Sequence, residues 1–330
     1  MTAAPSGGAP DRVFITGALG FIGRALSVHY RSLGAEVRGV DVAAGGADGI
    51  VAGDVTTPGP WRERVVGCDL VVHTAALVSM RSGTDPFWRA NVVGTRTALD
   101  AAAAAGARRF LHLSTVTVFG FDFPDGVDER HPVRPNGVPY VDTKIASEQL
   151  VLQAHAAGEL ECTVVRPADV YGPGSRPWTI LPVQELKARR LLLPAMGRGI
   201  FSPVYIDNLV DGIAAAAAHD AAAGHVLTIS DGAGVESRDF FAHYARMLGR
   251  KHVPVAPTPL AGALAGAVAL SARIRRAHTE VNRSAAAYLT RRGTYSIDKA
   301  RSMLGYRPTV DLEEGMRRSE AWLRDRDMLS

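Results

Sequence analysis

Cysteine is scarce. The 330 residues hold two, Cys68 and Cys162, both inside apolar runs (VVGCDLVVH and ELECTVVRP). That is the setting of buried reduced thiols, so the sequence offers no disulfide framework and fits a reducing, cytoplasmic compartment. Charge of one sign is lacking too. The net charge is only +4, and short basic pairs such as Arg108-Arg109, Arg189-Arg190 and Arg275-Arg276 are dispersed, which excludes a continuous stripe for nucleic acid. The histidines form no spaced set with cysteines or carboxylates, so no metal site is predicted. Long hydrophobic runs are missing: the longest, residues 260–272, falls short of the roughly 20 residues a transmembrane helix requires. Residues 1–10 (MTAAPSGGAP) have neither the basic start nor the apolar stretch of a secretory leader and read as a disordered tail.

What is present is ample apolar material, 47% of the chain, in an ordered alternation. Residues 12–16 (RVFIT) form a short β-branched run, followed at once by Gly17, Gly20 and Gly23 and then a helical stretch to about residue 33. Gly34 ends that helix, residues 36–40 read as a second strand, and Asp41 stands at its end. Further strands are predicted at 49–51, 70–73, 110–114 and 162–166, with helices at 91–105 and 140–157 between them. Alternating strands and helices demand parallel pairing through right-handed crossovers, hence an α/β fold with a Rossmann doubly wound sheet. Past Pro167 the pattern breaks into Gly- and Pro-rich loops, a helix at 209–219, one more strand at 225–230, and mostly helical sequence. The expected organisation is a nucleotide-binding domain over 11–167, to which 205–235 returns, and a smaller, mostly helical substrate lobe from 168–204 and 236–330.

Glycines at 17, 20 and 23 allow a sharp turn after the strand, close approach of a pyrophosphate to the backbone, and tight packing of the new helix, whose N-terminus faces the phosphates. Asp41 is placed to accept hydrogen bonds from an adenosine ribose and to repel a 2′-phosphate, while Val42 and Ala43 offer no cation for one, so NAD is preferred over NADP. Tyr140 and Lys144, at i and i+4 near a helix start, emerge on one face. An ammonium beside a phenol, with an oxidised nicotinamide, stabilises phenolate, and the expectation is a Tyr140 brought towards neutral operation as a general acid/base.

With these features the chain resembles the extended short-chain dehydrogenases/reductases, the group that includes nucleotide-sugar epimerases, dehydratases and 3β-hydroxysteroid-dehydrogenase-like enzymes. The motifs are Thr16-Gly17-x-x-Gly20-x-x-Gly23, Gly53-Asp54-Val55, His73-Thr74-Ala75-Ala76, Asn91-x-x-Gly94-Thr95, Leu113-Ser114-Thr115 leading to Val118-Phe119-Gly120, Tyr140-x-x-x-Lys144, and Arg166-Pro167-x-x-Val170-Tyr171-Gly172-Pro173. Tyr205-Ile206-Asp207-Asn208 and a C-terminal Lys299-Ala-Arg-x-x-Leu304-Gly305-Tyr306-Arg-Pro308 carry the likeness across nearly the whole chain. The resemblance implies that Asp54 and Val55 contact the adenine, that Thr74, Ala75 and Ala76 line the cofactor ribose, that Lys144 grips the ribose hydroxyls, and that Asn91 buttresses the site. Phe21 and Ile22 of the glycine turn, with Pro167 and Val170, complete the implied cofactor contacts. Thr115 stands where the family places the hydroxyl that binds the reacting oxygen, and Ser114 takes that role if the register slips by one. The aromatic of the family's Val-Tyr-Gly motif is Phe119 here, which removes a hydroxyl. The implied chemistry is proton transfer by Tyr140, with Thr115 on the same oxygen, and hydride transfer to or from the nicotinamide.

The substrate is less legible. The stretch Met196-Gly-Arg-Gly-Ile-Phe-Ser-Pro203 departs from the Gly-x-Gln-x-Arg-Asp of many nucleotide-sugar members, and Asn208 replaces a second Asp, as in the steroid-dehydrogenase-like branch. Val78, Ser79, Trp178 and Tyr205 join Thr115 and Tyr140 as candidate substrate contacts, although core packing explains Trp178, Tyr205 or the loop from Val78 to Met80 equally well. The run 260–272, followed by Arg273, Arg275 and Arg276, fits a hydrophobic substrate mouth, a peripheral membrane contact, or a buried packing helix whose cations suit its dipole. The leading expectation is a dehydrogenase acting on a hydrophobic, steroid-like or 3-hydroxy/3-keto substrate. Its rivals are a nucleotide-sugar epimerase or dehydratase that retains NAD, and a dinucleotide-sensing regulator without catalysis. Val116-Thr117 stands where dehydratases of the group place Asp-Glu, which argues against dehydration. The resemblance also implies a homodimer through the helices at 91–105 and 140–157.

Overall fold

The computed structural model describes residues 9–43, 48–79, 83–274 and 283–330. Most of the predicted tail, Met80, Arg275 and Arg276 lie outside the described residues. Strands β1 (Arg12–Thr16), β2 (Glu36–Asp41), β3 (Ile50–Ala52), β4 (Leu70–His73), β5 (Arg109–Leu113) and β6 (Glu161–Pro167) are followed by the short β7 (Asp169–Tyr171), β8 (Ile200–Phe201) and β9 (Pro203–Tyr205), then β10 (Val226–Ile229) and β11 (Val235–Glu236). The helices are α1 (Phe21–Ser32), α2 (Thr84–Phe87), α3 (Gly94–Ala104), α4 (Pro139–Ala156), α5 (Leu181–Lys187), α6 (Ile206–Ala218), α7 (Ser237–Met247), α8 (Thr258–Ile274), α9 (Arg283–Tyr288), α10 (Asp298–Leu304) and α11 (Leu312–Asp325).

Seven strands form one sheet in the order β10-β6-β5-β4-β1-β2-β3, every neighbour parallel. The inner strands are apolar on both faces, as a sheet covered by helices on both sides requires. Alternate residues part to two cores. Val13, Ile15, Val72, Leu111 and Val165 join α6 residues Leu209 and Ile213 on one face. Phe14, Val71, Phe110, Cys162 and Val164 meet Ala98, Leu99 and Ala102 of α3 and Val151 of α4 on the other. The alanines of α3 thus lie against the sheet, where a small side chain lets helix and strands approach closely.

The strand order reverses between β1 and β4, and the chain leaves both at their carboxyl ends, which is where an open α/β sheet forms its ligand crevice. After β6 the chain steps aside to pair β7 with β9 and β8 with β11, then returns through α6 to place β10 on the sheet edge. Asn208 secures that return. Its side-chain Nδ2 donates to Asp231 (2.7 Å) and the Val310 carbonyl (2.8 Å), and its Oδ1 accepts from the backbone of Thr309 and Val310. The residue that distinguished a family branch in the sequence is therefore a fully bonded clasp for the C-terminal segment.

Candidate active site

The glycine turn is built for close approach. Gly17 has a φ of +66°, and a Cβ there would stand 2.9 Å from the Ala75 backbone. A Cβ on Gly23 would lie 2.2 Å from the Gly17 carbonyl oxygen, so α1 packs onto the turn only with glycine. Gly20 is the N-cap of α1 and supplies no side-chain cap, which leaves the N–H groups of Phe21 and Ile22 free for an anion. Asp41 faces the same turn, its carboxylate accepting from the Leu19 N–H (2.9 Å) and the Ala43 N–H (3.0 Å). Thr74 donates to the Thr16 carbonyl at 2.7 Å, which docks the Thr74-Ala75-Ala76 strip against the turn. From the far side comes Gly174, in the loop after β7, where a Cβ would stand 3.6 Å from the Phe21 ring. An uncapped helix N-terminus, a turn with no room for side chains and a carboxylate at the end of β2 together suit a dinucleotide. Val55 sits deeper than the resemblance suggests, packed with Trp61 and Ala98 in the sheet core, while Asp54 caps the turn that follows by accepting from the Thr56 N–H at 2.8 Å.

Asn91 lies in a π-helical turn, Trp88–Val93, rather than at the start of the expected regular helix. The wide turn presents its amide sideways: Oδ1 accepts from the Leu77 N–H (2.7 Å), and Nδ2 donates to the Leu77 carbonyl (3.1 Å) and to Thr143 on α4 (3.0 Å). One buried side chain thus ties the strip after β4 to the helix that carries Tyr140 and Lys144.

Tyr140 and Lys144 emerge from the first turns of α4, and both are buried. The Tyr140 phenol lies beside Thr115, close enough for that hydroxyl to favour the phenolate, and Thr115 accepts from the N–H and hydroxyl of Thr117 at 3.2 Å each. This selects Thr115 over Ser114 as the hydroxyl beside the phenol. The Ser114 hydroxyl is buried and has no partner among the described residues. Burial raises the Tyr140 pKa to about 12, with the Thr115 hydroxyl opposing the shift. Lys144 donates instead to the Leu113 carbonyl, and burial holds its own pKa down to about 8 against the opposing pull of Glu148. At neutral pH the pair is a protonated phenol and an ammonium ion, a proton-donating arrangement.

Two groups behind this pair were assigned no role from the sequence. Glu148, one turn beyond Lys144, is fully buried and makes two bonds to Arg166 of β6, at 2.9 and 2.7 Å. The Arg166 guanidinium lies over the Phe119 ring at 4.8 Å, so the aromatic that replaces tyrosine is a covered packing surface. The i+4 spacing of Glu148 from Lys144 was the available clue. His73 and His112 stack at 5.5 Å on neighbouring strands. Thr95 donates to the Asn91 carbonyl, so His73 must give its Nε2 proton to Thr95 and accept from Thr16 at Nδ1. Burial, then the Lys144 charge, lowers the His73 pKa to about 3 and that of His112 well below its ordinary value.

Among the expected substrate contacts, Val78 is 63% exposed at the cleft margin and Ser79 is half-buried. Trp178 stacks on Tyr288 at 5.6 Å, and Tyr288 meets Phe121 edge-on, next to the apolar cluster of Phe87, Val118 and Val138 around Tyr140. Tyr205 is a correction: it is buried against Tyr171, under the Arg318 guanidinium and against Gly315 of α11, and is a core residue. Pro167 is buried at the end of β6 and Val170 is half-buried in β7. Beneath Trp178, Asp169 receives bonds from Arg291 (2.8 Å), the Ser202 N–H (3.1 Å) and the Tyr288 hydroxyl, a buried cluster that joins three distant segments. Among the described residues there is no His, Cys, Asp and Glu cluster able to hold a metal ion, and no helix is long and apolar enough to cross a membrane.

Comparison with known proteins agrees with this geometry. Residues 13–230 match the model of the NAD dependent epimerase/dehydratase family. The chain is 34% identical over 320 residues, covering 92% of it and 94% of the relative, to a 4-hydroxy-2-methyl-3-oxo-4-farnesyl-3,4-dihydroquinoline-1-oxide ketoreductase of Stigmatella aurantiaca. It is 29% identical to a 3-beta-hydroxysteroid dehydrogenase of Mycolicibacterium neoaurum, covering 92% of this chain and 89% of that one. Among solved structures, the dTDP-glucose 4,6-dehydratase DesIV of Streptomyces venezuelae, crystallised with NAD and TYD, superposes with a TM-score of 0.75 at 25% identity, covering 95% of this chain and 97% of that one. The chain therefore belongs to the NAD dependent epimerase/dehydratase family, the extended short-chain dehydrogenase/reductase enzymes, and NAD is the cofactor of that family.

Proposed function

We propose that the protein interconverts a ketone and a secondary alcohol on an apolar substrate, with Tyr140 as proton carrier, Thr115 as the hydroxyl that holds the reacting oxygen, and Lys144 as the cation behind them. The observation that carries this reading is the placement of the Tyr140 phenol beside the Thr115 hydroxyl within a wall of Phe87, Val118, Val138 and Phe121, where burial favours the protonated phenol. Bound NAD would supply or take up the hydride at the carbon. Gly17, Gly20, Gly23 and the first N–H groups of α1 would hold its pyrophosphate, and Asp41 its adenosine ribose.

In the reductive direction Tyr140 gives its proton to the carbonyl oxygen as the hydride arrives, while Thr115 fixes that oxygen by a second hydrogen bond. The ammonium of Lys144 steadies the phenolate left behind. An apolar substrate is favoured because the wall around the phenol is hydrocarbon and because Arg291, a buried cation stacked on the Tyr288 ring, is already neutralised by Asp169. The named substrates of the ketoreductase and steroid-dehydrogenase relatives are of this kind. Nucleotide-sugar turnover with retained NAD is the second reading, favoured by the likeness to the dTDP-glucose dehydratase. We place the protein in the cytoplasm as a homodimer through α3 and α4.

The test is NADH absorbance after mixing protein and NAD with panels of hydroxysteroids, long-chain 3-hydroxy compounds and nucleotide-sugars, beside a Tyr140→Phe variant. Net NADH with an apolar alcohol, and a loss of at least about 10²-fold in Tyr140→Phe with NAD binding retained, is expected. Conversion of a nucleotide-sugar alone, without net NADH, would replace this reading with the internal-redox one.

A further inference from the structure

Helix α8 is built the wrong way round for a soluble surface. Its large side chains point outward: Leu260 is 53% exposed, Leu264 47%, Val268 44% and Leu270 60%. The residues it turns to the protein are Ala261 and Ala265, which are buried. At about 100° per residue, Leu270, Ala263, Ala267, Leu260, Leu264 and Val268 share one outward face, and Gly262, Gly266 and Ala269 lie nearer the protein. A helix held by packing alone shows the opposite pattern, with leucines inward and polar residues outward. No charged residue interrupts positions 258–272. At 17 residues, and with no described helix able to span a bilayer, α8 is fitted to lie along an interface rather than through one.

The surrounding charge says what kind of interface. From Phe240 to Thr279 the sequence contains no Asp or Glu, while it carries Arg246, Arg250 and Lys251 ahead of the helix and Arg273 in its last turn. The segment leading into α8 is pinned to the chain that follows α5: the Leu193 N–H donates to the Pro254 carbonyl and the Ala256 N–H to the Leu193 carbonyl, both at 2.9 Å. Arg189 there is exposed, as is Lys251, while Arg190 is paired with Glu185. An apolar helix face within a stretch of sequence that carries cations and no acids complements an anionic lipid surface. A second copy of the chain would bring the same cations to the contact and repel.

We propose that α8 docks the protein on anionic membranes, with Leu260, Leu264, Val268 and Leu270 entering the boundary between headgroups and acyl chains. α8 packs on α9, whose Tyr288 stacks on Trp178, so the docked face lies one helix away from the wall of the catalytic cleft. The inference stands on exposure and charge and does not depend on the substrate assigned above.

Co-sedimentation of the full-length protein with vesicles tests it. Binding to phosphatidylglycerol-containing vesicles is expected to exceed binding to pure phosphatidylcholine by about tenfold or more and to weaken with salt. The double variant Leu260→Glu and Leu264→Glu should lose that binding while its thermal unfolding, circular dichroism and NAD affinity stay unchanged, because both side chains already face water. Equal binding of wild type and variant would overturn the proposal. So would a failure of wild type to bind either vesicle, including the case in which wild type elutes as a dimer that the variant splits, which would make the face a contact between copies.

Discussion

Replacing Lys144 by methionine should separate stability from activity. The wild-type ammonium is buried and bonded to the Leu113 carbonyl, with its pKa held down from 10.5 to about 8. The folded state therefore binds the Lys144 proton less tightly than the unfolded chain does. Below pH 8 both states carry it, and the full burial penalty is present. Between pH 8 and 10.5 the folded state alone has lost the proton, and the penalty is progressively relieved. A shift of about 2.5 units corresponds to roughly 3 kcal/mol at pH 7 and falls to about 1 kcal/mol at pH 10. Methionine removes the penalty but strands the Leu113 carbonyl, a loss of about 1–2 kcal/mol. Lys144→Met should then equal or exceed the wild type in stability at pH 7 by up to about 2 kcal/mol while losing turnover. Urea unfolding of both proteins without NAD, at pH 7 and pH 10, measures the difference, and tyrosine ionisation common to both cancels. Wild type should gain about 2–3 kcal/mol on the variant across that range. A difference independent of pH would refute the buried-ammonium account.

Glu148→Gln should destabilise the fold by about 3–5 kcal/mol, since it leaves the Arg166 guanidinium buried without its counter-charge, and should drop the melting temperature even though the change is isosteric. Because Glu148 also raises the Lys144 pKa, its removal should move the alkaline limb of the rate profile to lower pH; an unmoved limb would separate Glu148 from Lys144. Gly23→Ala should abolish NAD binding measured by calorimetry, as its Cβ would fall 2.2 Å from the Gly17 oxygen and push α1 off the turn.

Much of the fold was legible because its signals are local. A β-branched run, three glycines at fixed spacing and an acid at the next strand end specify a strand, a turn and a helix N-terminus within thirty residues, and Tyr140 and Lys144 share a helix face by spacing alone. The seven parallel strands followed from alternation with helices, which leaves no other pairing for short connections. What the tertiary structure decided was everything that depends on burial and on distant partners. The phenol's pKa rises because apolar neighbours from α2, the loop after β5 and α4 close around it, while Lys144 turns to a β5 carbonyl. Asn91 reaches Leu77 and Thr143 through a π-helical turn that no periodicity announces. Tyr205 became a core residue because α11 packs over it from more than a hundred positions away, and Asp169 found Arg291 across a similar separation. Sequence order fixes which side chains a helix or strand can offer together, but solvation and long-range pairing, and with them the protonation state of the site, arise only when the segments meet.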